Sequence, residues 1–204
     1  MNDIITTIEL ALLIVLPLII FYKRENKSFR SYILYVVLLY LIWFLTYSLL
    51  HELSHVIGSW ITGTKIDGYQ LIPRFWEGDF KTGYIGSVFT NGFQNFISNI
   101  SPYFRDLIFM FIGYFVLKRK KITNSFVTGL IIILFVLSPL FDVFNNYFGF
   151  VIGVHTDFNN IEVTIGSFWT HVIGLFLTLT GLLILWNVFA IYRKDPDMKL
   201  KGYL

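Results

Sequence analysis

Residues 51–55 read His-Glu-Leu-Ser-His, which places two histidines four positions apart and a glutamate directly after the first. On an α-helix, positions i and i+4 lie one turn apart on the same face, so both imidazoles can reach one tetrahedral zinc ion. Glu52 then lies beside the open coordination position, where its carboxylate can act as general base toward a zinc-activated water. The spacing predicts a hydrolytic zinc site with His51 and His55 as ligands and Glu52 as catalytic base.

Zinc needs a third protein ligand, and the absence of cysteine excludes thiolate ligands, disulfides and iron–sulfur clusters. Asp142 is the preferred candidate, because it follows the predicted start of its helix at 122 by the same 20 residues by which His51 follows 31. Two helices that run in the same direction then bring both side chains to a similar depth. Asp157, in the predicted loop that follows, is the alternative third ligand.

Two asparagines and a proline flank Asp142. Asn145 and Asn146 can donate hydrogen bonds to a developing oxyanion or to the backbone of a substrate. An equally good interpretation is that they mark the C-terminal end of the helix. Pro139 predicts a kink that frees backbone carbonyls close to the site.

The elements that must position these residues are strongly apolar. The chain has 204 residues, of which 55% are hydrophobic and 14% are charged, and its mean hydropathy is +0.66. Average soluble proteins carry about 25% charged residues. We therefore expect a single all-α domain, a polytopic membrane helix bundle of about five transmembrane helices. The predicted helices cover residues 4–22, 31–62, 102–117, 122–147 and 167–192.

Twelve of the 16 basic residues form three clusters, each beside an apolar run. The positive-inside rule is satisfied by all three clusters when the N-terminus is outside and five spans alternate in direction. The C-terminus is then cytoplasmic, and the chain is a multi-pass protein of the cell membrane. The clusters favour the lipid bilayer rather than nucleic acid as the partner of the basic residues. Their members are Lys23, Arg24, Lys27 and Arg30; Lys118, Arg119, Lys120 and Lys121; and Arg193, Lys194, Lys199 and Lys201.

Residues 63–101 are neither an ordinary loop nor a clean span. The first half mixes glycine, proline and aromatic residues, which predicts short strands and turns. The second half is apolar but is interrupted by asparagine and glutamine, which is typical of an interfacial or re-entrant element. We therefore expect a short β-like or re-entrant segment after the second helix.

The motifs together resemble the site-2-protease-type intramembrane zinc metalloproteases, peptidase family M50, and particularly their M50B-like branch. The resemblance rests on 51–55 in a membrane helix, on Ser101-Pro102-Tyr103-Phe104 opening a further span, and on the later acidic segments 138–146 and 155–157. It implies a zinc peptidase with His51, His55 and Asp142 as ligands and Glu52 as the catalytic residue. It also implies that an unwound substrate segment adds to a strand edge within 63–86.

The sequence therefore predicts an intramembrane metalloendopeptidase that cleaves a membrane-protein or membrane-peptide substrate in or near its spanning segment. One alternative is a non-proteolytic membrane protein that uses the same cluster to bind or transport ions or protons. That alternative is less favoured, because transporters are commonly built from two related halves and no internal repeat is visible. A second alternative is an inert homologue with a regulatory role, although such a protein has no need to keep Glu52.

Overall fold

A computed structural model of the chain describes residues 27–72, 83–119, 122 and 125–194. The predicted helix at 4–22 lies outside these residues. The described part is mostly helical, with one short pair of strands. In chain order the elements are α1 (Lys27–Ile61), β1 (Lys65–Gln70), β2 (Tyr84–Val88), α2 (Gly92–Arg119), α3 (Ser125–Ile132), a π-helical segment (Ile133–Leu137), α4 (Ser138–Val151), α5 (Asp157–Ile165) and α6 (Ser167–Lys194).

Within the described residues, four helical stretches are long and apolar enough to cross a bilayer. Their large apolar side chains are widely exposed, as Trp186 and Leu183 of α6 illustrate, which is compatible with a membrane protein. Three predicted helices, 31–62, 122–147 and 167–192, coincide with observed ones to within a few residues. The four stretches are Leu34–Ile61 in α1, Gly92–Arg119 in α2, Phe126–Val151 through α3 and α4, and Ser167–Ile191 in α6.

Helix α2 differs from its prediction, because it begins at Gly92 and not at 102. Asn91 starts the helix: its side-chain oxygen accepts a hydrogen bond of 3.0 Å from the backbone N–H of Gln94. Pro102, which looked like a first helical residue, lies inside the helix. The polar residues that suggested an interrupted, re-entrant stretch are instead helical positions that bond to neighbouring elements.

The strands β1 and β2 form a two-stranded antiparallel pair, with an irregularity between Ile66 and Gly68. Gly63, with φ of 66°, ends α1 and reverses the chain into β1. The far ends of both strands are tied to α1 through Ser48, which accepts a hydrogen bond of 2.8 Å from the Gly83 N–H and donates one of 3.3 Å to the Leu71 carbonyl. The strand pair therefore lies against the helix that carries the histidines.

Helix α2 packs against α1, α4, α5 and α6, so it joins the histidine-bearing helix to the later ones. Pro139 is accommodated by the π-helical segment just before it, where the Ser138 N–H bonds to the Ile133 carbonyl five residues earlier. Such π-bulges are frequent near functional sites. The apolar cluster beside the candidate site is formed by Tyr103, Val143, Tyr147, Phe158, Ile161 and Leu177.

Candidate metal centre

Three Lewis-basic atoms meet between α1 and the start of α5. The Nε2 atoms of His51 and His55 are 3.2 Å apart, and each lies 3.2 Å from the Oδ2 atom of Asp157. In a tetrahedron whose corners are this far apart, the centre lies about 2.0 Å from each corner, which is the usual length of zinc–nitrogen and zinc–oxygen bonds. The donor set and its spacing therefore fit a zinc ion with one coordination position open.

The other ring nitrogen of each histidine contacts an acceptor. The Nδ1 atom of His51 lies 2.7 Å from Asp142 Oδ2, and the Nδ1 atom of His55 lies 2.9 Å from the backbone oxygen of Ser98. A carbonyl or a carboxylate can only accept, so each Nδ1 must carry the proton and donate. When Nε2 is unprotonated, each imidazole therefore directs its lone pair into the cluster, which is the arrangement that metal-binding histidines adopt.

Asp157 completes the cluster as an anion. Burial raises the pKa of the Asp157 carboxyl, but in the metal-free cluster the positive charge of His55 and hydrogen bonds from protonated Nε2 atoms of both imidazoles hold that pKa well below its usual range. The Tyr103 hydroxyl donates a further hydrogen bond of 3.1 Å to Oδ2. Two imidazole nitrogens and one carboxylate oxygen at such short distances attract one another only when a proton or a metal ion lies between them.

Asp142, the preferred third ligand from the sequence, lies on the opposite side of His51. Its carboxylate is fully buried and accepts hydrogen bonds from His51 Nδ1, from Tyr47 at 3.1 Å and from Arg105 at 3.0 Å. Asp142 reaches His51, as its matching depth predicts, but it contacts Nδ1 and not the Nε2 atom that faces the cluster. Of the two carboxylates considered, Asp157 is the one that the structure brings into the three-atom cluster.

The two asparagines beyond Asp142 do not face the cluster as oxyanion donors. Asn146 donates its side-chain amide to Asp142, with hydrogen bonds of 2.8 Å to Oδ1 and 3.0 Å to the backbone oxygen. The side chain of Asn145 is exposed. The observed geometry gives Asn146 a role in holding Asp142, because both of its amide hydrogen bonds end on that residue.

A buried ion network lies behind Asp142. Arg105 bonds to Asp142, to the carboxylate of Asp106 and, over 3.2 Å, to Ser54 Oγ. The second carboxylate oxygen of Asp106 is buried and has no partner among the described residues. The signal for this network was a charged Arg-Asp pair inside a predicted span, since intramembrane charges seldom lack a role.

Asp157 owes its position to the docking of α5 on α2 through amide side chains. Asn95 donates hydrogen bonds of 2.8 Å to the backbone oxygen of Asn160 and to Thr164 Oγ1. Asn160 in turn donates to Asn99 Oδ1 over 3.1 Å, and Asn99 donates to Asn95 Oδ1 over 2.8 Å. These amide side chains join α5 to α2.

Glu52 lies where α1 meets the strand pair. Its side chain is 6% exposed, and it directly follows His51 on α1. Its Cγ atom packs so closely on Gly83 that a Cβ atom there would collide with it, so the position requires glycine. Glu52 therefore lies where the histidine-bearing helix meets the residue that precedes β2.

Beside these strands a groove of 590 Å³ runs between α1 and β1. Leu53 and Val56 of α1 line one wall, and Ile66 and Tyr69 of β1 line the other. Among the described residues β1 pairs only with β2, so no described strand covers its other edge.

Comparisons with protein-family models, with curated proteins and with solved structures give no match to this chain.

Proposed function

We propose that the chain is an intramembrane zinc metallopeptidase. The observation that carries the proposal is the three-atom cluster: the Nε2 atoms of His51 and His55 and the Oδ2 atom of Asp157 lie mutually 3.2 Å apart, with every Nδ1 proton engaged elsewhere. This is the donor type, number and spacing of a catalytic zinc site with one open position. His51, His55 and Asp157 would hold the ion.

Zinc supplies a Lewis acid, which lowers the pKa of water and polarises a peptide carbonyl. Glu52 accepts a proton from the attacking water while the water oxygen bonds to the carbonyl carbon. Glu52 then delivers that proton to the leaving nitrogen, and the C–N bond breaks to release a carboxylate and an amine. Tyr103 and Asp142 keep Asp157 and His51 oriented throughout.

The substrate we propose is a membrane-spanning segment that has unwound into an extended conformation. The free edge of β1 and the apolar groove beside it support this choice, because main-chain pairing holds any extended sequence while the groove accepts apolar side chains. The four apolar helices support a site within a bilayer. Membership of the M50B-like branch, five spans and a cytoplasmic C-terminus in the cell membrane belong to the same proposal.

The direct test is a comparison of wild-type protein with the Glu52→Gln variant in lipid nanodiscs. Zinc content is measured by elemental mass spectrometry, and hydrolysis by mass spectrometry of synthetic transmembrane peptides. We expect one zinc per chain in both proteins and a loss of cleavage of about 10²-fold or more in the variant, because only the general base is removed. Glu162→Gln, the same change within α5, is the matched control and keeps full activity.

The outcomes separate the proposal from its rivals. Wild-type protein that holds no zinc contradicts it. Zinc-loaded protein that cleaves none of the peptides but conducts ions or protons in a Glu52-dependent way contradicts it in favour of a binding or transport role. Cleavage that survives Glu52→Gln contradicts the assigned role of Glu52.

A further inference from the structure

The middle of α2 contains a backbone carbonyl that has lost its ordinary partner. In an α-helix the carbonyl of residue i accepts from the N–H of residue i+4, and the residue four positions after Ser98 is Pro102. Proline has no N–H, and its ring pushes the i−4 carbonyl away from the helix axis. The Ser98 oxygen is therefore available to a donor outside its own helix.

His55 supplies that donor. Its Nδ1 atom lies 2.9 Å from the Ser98 oxygen, and Ser98, Pro102 and His55 are all buried, so water does not compete for the bond. Ser98 is also tied to the histidine-bearing helix through its side chain, whose Oγ lies 2.9 Å from Ser59 Oγ. Ser59 follows His55 by one turn on the same face of α1, so both contacts fix one patch of α2 against one patch of α1.

We propose that Pro102 is a positioning residue for His55. By withholding an N–H from Ser98, it leaves the carbonyl free to hold the His55 ring in the tautomer and orientation that present Nε2 to Asp157. The proposal rests on the proposed metal site. It assigns to Pro102 an effect on His55 that is separate from any bending of α2.

The test uses a substitution that ordinary helix energetics favours. Pro102→Ala restores the N–H and improves helix propensity, so apo α2 is not expected to lose stability. If Ser98 is drawn back into the α2 ladder, the His55 tautomer is released and zinc affinity falls. We expect the zinc dissociation constant, measured by competition with a chromophoric chelator, to rise about 10- to 100-fold, the usual effect of losing a partner behind a ligand.

Two further variants isolate the cause. Pro102→Gly restores the same N–H with a smaller gain in helix propensity than Pro102→Ala, and it should weaken zinc binding to the same extent. Phe104→Leu, at an exposed position two residues away on α2, should leave zinc binding at the wild-type value. Thermal unfolding of the apo proteins should show Pro102→Ala to be at least as stable as wild type, so that weaker binding cannot be attributed to a damaged fold.

A spectroscopic measurement keeps the inference testable even if both proline variants fail to fold. In ¹⁵N NMR spectra of wild-type apo protein, His55 should carry its proton on Nδ1. A His55 ring that carries its only proton on Nε2, or a Pro102→Ala variant that binds zinc as tightly as wild type, overturns the inference while the proposed function stands. Wild-type protein without zinc overturns the proposed function instead.

Discussion

The two histidines of the motif are held by opposite kinds of surroundings. His51 is backed by the carboxylate of Asp142, which Arg105 also contacts. His55 is backed by a neutral backbone oxygen, that of Ser98. A carboxylate partner raises the basicity of an imidazole ligand more than a carbonyl does, but it also brings buried charge that must be balanced. The comparison teaches that one half of the site depends on charge balance and the other on backbone geometry.

The largest effect is expected from removing the guanidinium of Arg105, which balances the buried carboxylates on the His51 side. Arg105→Met leaves the carboxylates of Asp106 and Asp142 buried together without their positive partner. We expect a loss of about 3–5 kcal/mol in the free energy of unfolding, measured by denaturant titration in mild detergent. Lys118→Met, at an exposed cation near the end of the same helix, should cost less than about 0.5 kcal/mol. Equal losses of unfolding free energy in the two variants would show that Arg105 is not needed to neutralise the buried carboxylates of Asp106 and Asp142.

A second pair of variants separates a ligand from the group behind it. Asp157→Asn removes an anionic ligand and should weaken zinc binding by more than about 100-fold, whereas Asp142→Asn should weaken it by about 10- to 100-fold. Isothermal titration with a competing chelator measures both. The reverse order, with Asp142→Asn the more damaging, would restore Asp142 as the ligand and contradict the geometry described here.

How far the sequence predicted this site depends on the range of the interactions involved. The histidine pair and Glu52 follow from helical periodicity alone. Asp142 and His51 lie equally far from the starts of their predicted helices, which correctly predicts that their side chains meet. Which ring nitrogen Asp142 meets depends on the rotation of α4, a property of packing that no local pattern records. Helix α5 escaped prediction because nine residues are too few for its apolar positions to show a clear helical period, and its docking depends on contacts with α2.

A smaller effect is expected from loosening α5. Asn160→Ala removes the hydrogen bond to Asn99 Oδ1 and should lower the free energy of unfolding by about 1–2 kcal/mol, with a modest loss of zinc affinity because Asp157 starts the same helix. Chemical denaturation and zinc titration of one sample measure both quantities. Asn145→Ala, at an exposed asparagine of α4, is the matched control and should change neither. If Asn160→Ala changed neither the free energy of unfolding nor the zinc affinity, apolar contacts alone would hold α5.

The smallest effect is expected from Tyr103→Phe, which removes a single hydroxyl. The Asp157 carboxylate then loses one donor but keeps both imidazoles and, by our proposal, the zinc ion. Zinc affinity should fall by about 10-fold, the usual value of one hydrogen bond to a charged group. Apo stability should fall only slightly, because the ring still packs on Phe158. A loss as large as that of Asp157→Asn would mean that Tyr103 does more than orient the carboxylate.

The central claim is that His51, His55 and Asp157 hold one zinc ion, and X-ray absorption at the zinc edge tests it most directly. Wild-type protein purified in lipid nanodiscs should give a four-coordinate spectrum with two imidazoles and only nitrogen and oxygen neighbours, at about 2.0–2.1 Å. The imidazole signal should halve in His55→Ala. Protein that retains less than one zinc per chain after equilibration with excess metal, or a spectrum without imidazole, would contradict the account.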